Sequence, residues 1–220
     1  MRKEADKLLE EVNVTKEYRN GYTSILECEY RHVSFVIAFS GVGKGFACAS
    51  IAALANLYPC DYVINFGVAG TMNDQIAPIG SAVIGKDYVE DDVDTSVVGD
   101  PVGLISGINK ILLPSDPTVR KILKNACTKV SIPCTEGRIA SGDVFLPSND
   151  PRKIAISKMW NPLCIDMESA PFAQGCYVYN IPYASIRLIS DAHHPETEYE
   201  ENIPMCVDKI KQIALQVLLS

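Results

Sequence analysis

The segment CIDMESAPFAQGCYVYNIPYASIRLISD, Cys164–Asp191, decides the fold class of this chain. Its apolar runs predict two short strands, Leu163–Met167 and Tyr183–Ile189, with a helix between them. A strand–helix–strand unit predicts parallel strands joined by a right-handed crossover. Glu168 and Asp191 would then emerge on the same rim of the sheet, where open α/β sheets bind ligands. Two acids that face one cleft indicate acid/base chemistry.

Strands and helices alternate along the rest of the chain, without a linker or an internal repeat. The other predicted strands are rich in Val, Ile and aromatic residues: Ser24–Glu29, Val33–Phe39, Tyr62–Phe66, Ser81–Val89 and Gly137–Ser141. The predicted helices are Lys3–Val12, Gly45–Leu57, Pro117–Lys129, Pro151–Met159, Ser169–Tyr179 and Val207–Leu219. This alternation favours a single domain, an α/β three-layer sandwich with a mixed central β-sheet flanked by helices.

Composition narrows the class of function. The 220 residues are 47% hydrophobic, carry a net charge of −7, and offer no basic field for nucleic acid or an anionic membrane. Eight scattered cysteines without a CxxC pair indicate reduced core residues in a cytoplasmic protein, and we expect no metal or cofactor. The adjacent His193 and His194 lack a third histidine nearby, which argues against a metal site. No apolar run reaches membrane-spanning length.

Three more segments accompany DMESA and RLISD: FSGVGKGFACAS (Phe39–Ser50), VINFGVAGTM (Val63–Met72) and GRIASGDVFLPS (Gly137–Ser148). With these five segments in this order, the chain resembles the nucleoside phosphorylase/nucleosidase family, most closely its 5'-methylthioadenosine/S-adenosylhomocysteine nucleosidases. The resemblance spans residues 1–220. It implies a nucleoside phosphorylase-like fold and hydrolysis of a 5'-substituted adenosine to release adenine, as in methionine salvage.

The resemblance also implies roles for individual residues. Asp191 would be the general acid that protonates purine N7, oriented by Ser190, so that adenine leaves as a neutral molecule. Glu168 would clamp the ribose hydroxyls and favour the positively charged transition state, with Met167 packed beneath the ribose. Arg187, on the strand that delivers Asp191, would help to hold the local charge.

The base and the 5' group would be held by other segments. By the same resemblance, Phe145 stacks on the purine and the backbone of Leu146 reads the adenine edge. Val68 and Ala69 are expected to contact the substrate. Tyr199, in the acidic run before the last helix, is a candidate to close over the 5' end. Asp143 is expected to fix the loop that carries Phe145 rather than to take part in chemistry.

The nucleophile remains open between water and phosphate. Ser40–Gly45, SGVGKG, lacks the spacing of a P-loop, and a tight strand-to-helix turn explains its glycines. Val68 departs from the family pattern where a phosphate-contacting serine is expected, and a valine cannot hydrogen-bond an oxyanion. The sequence therefore favours hydrolysis. The alternatives are a phosphate-dependent purine nucleoside phosphorylase and a catalytically idle nucleoside-binding protein.

The sequence pattern around the water-activating acid is incomplete. In the nucleosidases a strand and a glycine turn precede A-M-x-x-E, and Met1–Glu4 matches only the tail of that pattern. Glu4 is thus the candidate base. We expect the family's first strand to be missing from this sequence. Either it is encoded upstream of Met1, as we predict, or the protein lacks this strand of the sheet.

The segment Asp94–Leu113 predicts a long loop with an interfacial role. Its end is apolar, with Leu104, Ile105, Ile108, Ile111, Leu112 and Leu113. Because such a surface is too apolar to stay in water, we expect a homodimer. The resemblance implies that the loop would then help to line the neighbour's 5' pocket.

Overall fold

Two β-sheets form the framework of the computed structural model, which describes residues 2–20, 23–147 and 149–220. The first sheet is an antiparallel meander of β1 (Asn13–Asn20), β2 (Thr23–Tyr30) and β3 (Val33–Phe39). The second is built from β4 (Val63–Thr71), β5 (Ala82–Glu90), β6 (Leu113–Pro114), β7 (Cys134–Ser141), β8 (Cys164–Asp166) and β9 (Tyr183–Asp191). Its order is β6-β5-β7-β8-β4-β9, and β9 also pairs with β5, so the sheet closes into a ring.

Helices cover both faces of the second sheet. They are α2 (Lys44–Leu57), α3 (Pro117–Lys129), α4 (Pro151–Trp160), α5 (Ser169–Val178) and α6 (Pro195–Val217). The short α1 (Asp6–Leu9) packs instead with the first sheet and α6. One core cluster joins α2 and α5 to the sheet, through side chains such as Ile51 and Phe172. Another joins α3 and α6 to the opposite face, through Leu123 and Ile213. The predicted α/β three-layer arrangement with a mixed sheet is confirmed.

The predicted parallel relation between the two strands of the Cys164–Asp191 segment is wrong. β4 runs parallel to β9 but antiparallel to β8, so β8 and β9 run in opposite directions. β8 is only three residues long and pairs with the last two residues of β4, Gly70 and Thr71. The chain leaving β8 therefore runs back alongside β4. This return, rather than a shared rim, brings Glu168 near β9.

Other boundaries also differ from the prediction. The predicted helix Lys3–Val12 is a 3-10 turn, Arg2–Glu4, followed by the single turn of α1. β1 was not predicted at all. The last helix begins at Pro195 instead of Val207, because the acidic run ETEYEEN forms its first turns.

The predicted loop Asp94–Leu113 contains a 3-10 turn, Ser96–Val98, and a bridge between Ile105 and Lys110. Its apolar end is only partly buried. Ile105 and Leu113 are buried in the core cluster under α2 and α5, whereas Leu104, Ile108, Ile111 and Leu112 stay partly exposed. Fewer residues of this end than predicted are therefore open to a partner, and the homodimer stays a prediction.

In the described ranges, β3 pairs with β2 alone, so its other edge carries no strand. The additional family strand stays a prediction. None of the helices in these ranges combines the length and the apolar character needed to span a bilayer.

Candidate active site

Two glycines of β4 lie under the charged side chains of the site. Gly67 is paired with Arg187 and Gly70 with Asp191, after an irregularity in register between Ala69 and Gly70. A β-carbon on Gly67 would overlap Nη1 of Arg187, and one on Gly70 would lie 2.6 Å from Oδ2 of Asp191. The two positions are roughly 10 Å apart along the strand. The site therefore has two parts along β4. We call the part around Gly67 and Arg187 the first or Gly67 station, and the part around Gly70 and Asp191 the second station.

At the Gly67 station, Arg187 lies in a buried polar network. Its Nε donates to Oδ2 of Asp166 at 2.6 Å and to Oγ of Ser169 at 2.9 Å, and its Nη2 donates to Oδ1 of Asn65. The side chains of Arg187 and Asp166 are only 3% and 2% exposed. The negative charge of Asp166 raises the pKa of Arg187 against the opposing effect of burial. The guanidinium is thus fixed as a cation.

Glu168 and Glu4 complete the same station. Oε1 of Glu168 accepts a hydrogen bond from the Gly43 backbone N–H at 2.9 Å. Burial raises the pKa of Glu168, although the cation of Arg187 opposes this rise. Oε1 of Glu4 would lie 3.3 Å from a β-carbon on Gly67, and its charge contributes to the shifted pKa values of both Arg187 and Glu168. The structure thus brings these two predicted carboxylates together around one arginine.

The second station holds Asp191. Its Oδ1 accepts a hydrogen bond from Oγ of the preceding Ser190 at 2.6 Å, and the residue is only 4% exposed. Burial raises the pKa of Asp191, while the Ser190 hydrogen bond and the charge of Lys153 lower it. The carbonyl of Ser190 is held by the side-chain amide of Asn202, at 2.9 Å. A buried carboxyl with a raised pKa keeps its proton to a higher pH than an exposed one.

The base-binding loop predicted from the sequence flanks these stations. The half-exposed ring of Phe145 meets the ring of Tyr199 edge-on, with centroids 5.8 Å apart. The ammonium of Lys3 lies 4.9 Å from the centroid of Tyr199, which ties α6 to the amino-terminal turn that carries Glu4. Tyr199, predicted to close over the substrate, therefore lies beside Phe145, predicted to stack on the purine.

Hydrogen bonds anchor this loop to the rest of the site. Asp143 Oδ1 accepts from the Lys44 backbone N–H at 2.8 Å, and Asp143 N–H donates to Asp92 at 3.0 Å. The ammonium of Lys44 in turn pairs with Asp92 at 2.6 Å and with Glu90 at 3.3 Å. Asp143 thus holds the loop in place, the role that the sequence predicted for it.

The remaining predicted site residues are placed less directly. Met167 is half-buried between β8 and α5, beside Glu168, and Ala69 is buried on the α2/α5 face. The side chain of Leu146 packs into the cluster around Trp160, which leaves only its backbone for a ligand. Val68 packs on the α3/α6 face, so its side chain points away from Arg187 and Asp191.

The sequence analysis missed the amide of Gly43. A helix amino terminus attracts anions, and here the anions are side chains of the same chain, Glu168 on Gly43 N–H and Asp143 on Lys44 N–H. Gly43 has φ +92, a left-handed conformation that favours glycine. The glycines of SGVGKG were the available signal, but they gave no indication of which acids they would meet.

Among the residues that the structure describes, no three His, Cys, Asp or Glu side chains lie where they could hold a metal ion together. His193 is instead paired with Asp74, with Nε2 and Oδ2 3.1 Å apart.

Comparison with known proteins identifies the class that this fold and site define. The sequence model of the Phosphorylase superfamily matches residues 1–219, so the chain belongs to that superfamily. Among curated relatives, the 5'-methylthioadenosine/S-adenosylhomocysteine nucleosidase of Staphylococcus aureus strain JH9 is 30% identical over 199 residues, which cover 86% of this chain and 85% of the relative.

Solved structures agree with this assignment. The 5'-methylthioadenosine/S-adenosylhomocysteine nucleosidase of Neisseria meningitidis, in complex with methylthio-immucillin-A, superposes with a TM-score of 0.92 at 26% identity, over 99% of this chain and 94% of that one. Futalosine hydrolase of Helicobacter pylori strain 26695 has a TM-score of 0.91 at 23% identity, over 99% and 93%. The second similarity concerns the fold alone.

Proposed function

We propose that this chain is an N-ribosyl hydrolase that cleaves a 5'-substituted adenosine of the methylthioadenosine or S-adenosylhomocysteine type. The arrangement along β4 carries the proposal. Glu4, Glu168 and Arg187 gather at Gly67, and Asp191 stands one station further, at Gly70. The nucleosidases of Staphylococcus aureus and Neisseria meningitidis that share this fold support the same reaction class.

The reaction needs a leaving group on one side of C1' and an attacking nucleophile on the other side. Asp191 gives its proton to N7 as the bond between C1' and N9 breaks, and the bonding electron pair leaves with a neutral adenine. Glu168 accepts hydrogen bonds from the ribose hydroxyls, and its negative charge favours the oxocarbenium-like sugar. Glu4 takes a proton from the water that attacks C1'. The products are adenine and a 5-substituted ribose.

Electrostatics at the Gly67 station favour water over phosphate. The cation of Arg187 is surrounded by the carboxylates of Asp166, Glu168 and Glu4, and its Nε is already bonded to Asp166. The local charge is therefore negative, which opposes a dianion. The nearby backbone N–H groups of Gly43 and Lys44 bind carboxylates of the chain itself.

Adenine release from methylthioadenosine in phosphate-free buffer tests the reaction class. We expect turnover without phosphate and no stimulation when phosphate is added. Release that depends on phosphate would indicate a phosphorylase, and saturable binding without release would indicate an idle binding protein. A panel with methylthio, homocysteinyl, 5'-deoxy and aminodeoxyfutalosine-type substituents would then rank the substrates.

Glu4→Gln is expected to lower the rate of hydrolysis by about 100-fold or more, because the amide cannot accept the proton of the attacking water. The measurement is kcat in phosphate-free buffer together with the dissociation constant of the nucleoside. Glu10→Gln, at an exposed glutamate after α1, is the matched control and should keep wild-type kcat. Equal rates for the two variants would show that water is activated elsewhere.

We also propose a homodimer, supported by exposed apolar residues in the segment Asp94–Leu113. Val97 and Val98 are 94% and 76% exposed, next to each other on a 3-10 turn. Sedimentation at micromolar concentration should show a dimer, and Val97→Asp should shift it toward monomer. Val178→Asp, at another exposed valine, should leave it unchanged. A wild-type monomer with full activity would contradict the proposal.

The cytoplasmic location and the role in methionine salvage stay predictions from the sequence.

A further inference from the structure

A cleft of about 570 Å³ opens where β4 ends. One wall consists of residues that come directly after the second station: Thr71 and Met72 follow Gly70, and Ala192 and His193 follow Asp191. The other wall is the surface of α4 and the residue before its cap, with Asn149, Lys153, Ile154, Ser157 and Lys158. Its volume is in the range of sites that bind small molecules.

The cleft is cationic although the whole chain carries a net charge of −7. Lys153 and Lys158 line one wall, and the acid among the described lining residues, Asp74, is paired with His193. Lys153 is close enough to Asp191 for its charge to affect that carboxyl. The excess of positive charge therefore begins at the second station and extends outward along α4.

The register of β4 gives the direction from the site to the cleft. Gly67 meets Arg187, near Glu4 and Glu168, and Gly70 meets Asp191. Thr71, the last residue of β4, and Met72, which follows it, line the cleft. The cleft thus lies beyond Asp191, on the side away from Glu168.

The arrangement of atoms in adenine matches this direction from the site to the cleft. The ribose is attached at N9, N7 belongs to the same five-membered ring, and the exocyclic amine on C6 lies next to N7 on the side away from the sugar. With the ribose at Glu168 and N7 at Asp191, the exocyclic amine points past Asp191. It therefore faces the cleft lined by Lys153 and His193.

We propose that this site accepts adenine nucleosides whose exocyclic amine carries a short chain ending in a carboxylate. The chain would extend into the cleft and its carboxylate would lie between Lys153 and Lys158. The inference rests on the proposed function, because Glu168 and Asp191 set the orientation of the nucleoside.

The test compares methylthioadenosine with three derivatives at the exocyclic amine: propyl, 2-carboxyethyl and 3-aminopropyl. We expect kcat/KM for the carboxyethyl compound to exceed that for the propyl compound by roughly three- to tenfold, since a half-buried lysine, Lys153, and an exposed one, Lys158, each contribute modestly. The aminopropyl compound should be the poorest. The double variant Lys153→Gln/Lys158→Gln should abolish this ranking. The double variant Lys121→Gln/Lys129→Gln, at exposed lysines of α3, should keep it.

The outcomes separate this inference from the proposed function. Hydrolysis of methylthioadenosine without hydrolysis of any derivative, or equal rates for the propyl and carboxyethyl compounds, would overturn the inference alone. Absence of methylthioadenosine hydrolysis would overturn the proposed function. In that case calorimetry on the same compounds decides: tighter binding of the carboxyethyl than the propyl compound supports the cleft, and equal or absent binding rejects it.

Discussion

Asp191→Asn is expected to lower adenine release by about 100- to 10,000-fold, the usual cost of losing a positioned general acid. The amide keeps the shape of the carboxyl and can still meet Oγ of Ser190, but it has no acidic proton to give to N7. Burial raises the pKa of Asp191, which favours the protonated form that this role requires. Binding of an uncharged nucleoside should change little.

Single-turnover measurement of adenine release, with calorimetry of nucleoside binding, checks this expectation. Asp61→Asn, at an exposed aspartate before β4, provides the control and should behave as the wild type. If the Asp191 variant turns over within a few-fold of the wild type, another group donates the proton.

Arg187→Met is expected to lower the free energy of unfolding by about 3–5 kcal/mol, because it leaves the charge of Asp166 buried without its partner. Both side chains are almost fully enclosed, so water cannot replace the guanidinium. Activity should be lost as well, since Arg187 compensates the charges of Glu4 and Glu168. Urea unfolding followed by circular dichroism measures the stability.

An exposed ion pair gives the matched comparison. Arg152 is paired with Asp150, and its side chain is half exposed. Arg152→Met should therefore leave the free energy of unfolding nearly unchanged. Similar losses for the two variants would mean that the Arg187–Asp166 pair contributes no more to stability than an ordinary surface pair.

The sequence predicted the strands that carry many apolar residues and missed two others, β1 and the two-residue β6. β1, NVTKEYRN, lacks an alternating apolar pattern because most of its described side chains are exposed. Its strand state depends on pairing with β2, a tertiary contact that local pattern does not reveal. The first turns of α6 were missed for a similar reason, because their acidic sequence resembles that of a solvated loop.

At the site, the sequence placed Glu168 and Asp191 near each other for a reason that the structure corrects. A helix between two strands predicts a parallel crossover, but β8 is too short for its own pattern to fix a direction. Its pairing with Gly70 and Thr71 sets that direction. Asp166, the last residue of β8, forms the buried pair with Arg187. The contact of Glu168 with Gly43 joins residues 125 apart in sequence, beyond any motif.

The glycines of β4 also limit how this site could diverge during evolution. A single methyl group at Gly67 would displace Arg187, which has no solvent to move into, and one at Gly70 would press on Asp191. Neither glycine can be replaced by a larger residue without displacing the charged side chain that it contacts. The α4 wall of the cleft faces no such restriction, because Ile154 and Lys158 are exposed. New substrate preferences can therefore arise along α4, while the catalytic strand stays constant.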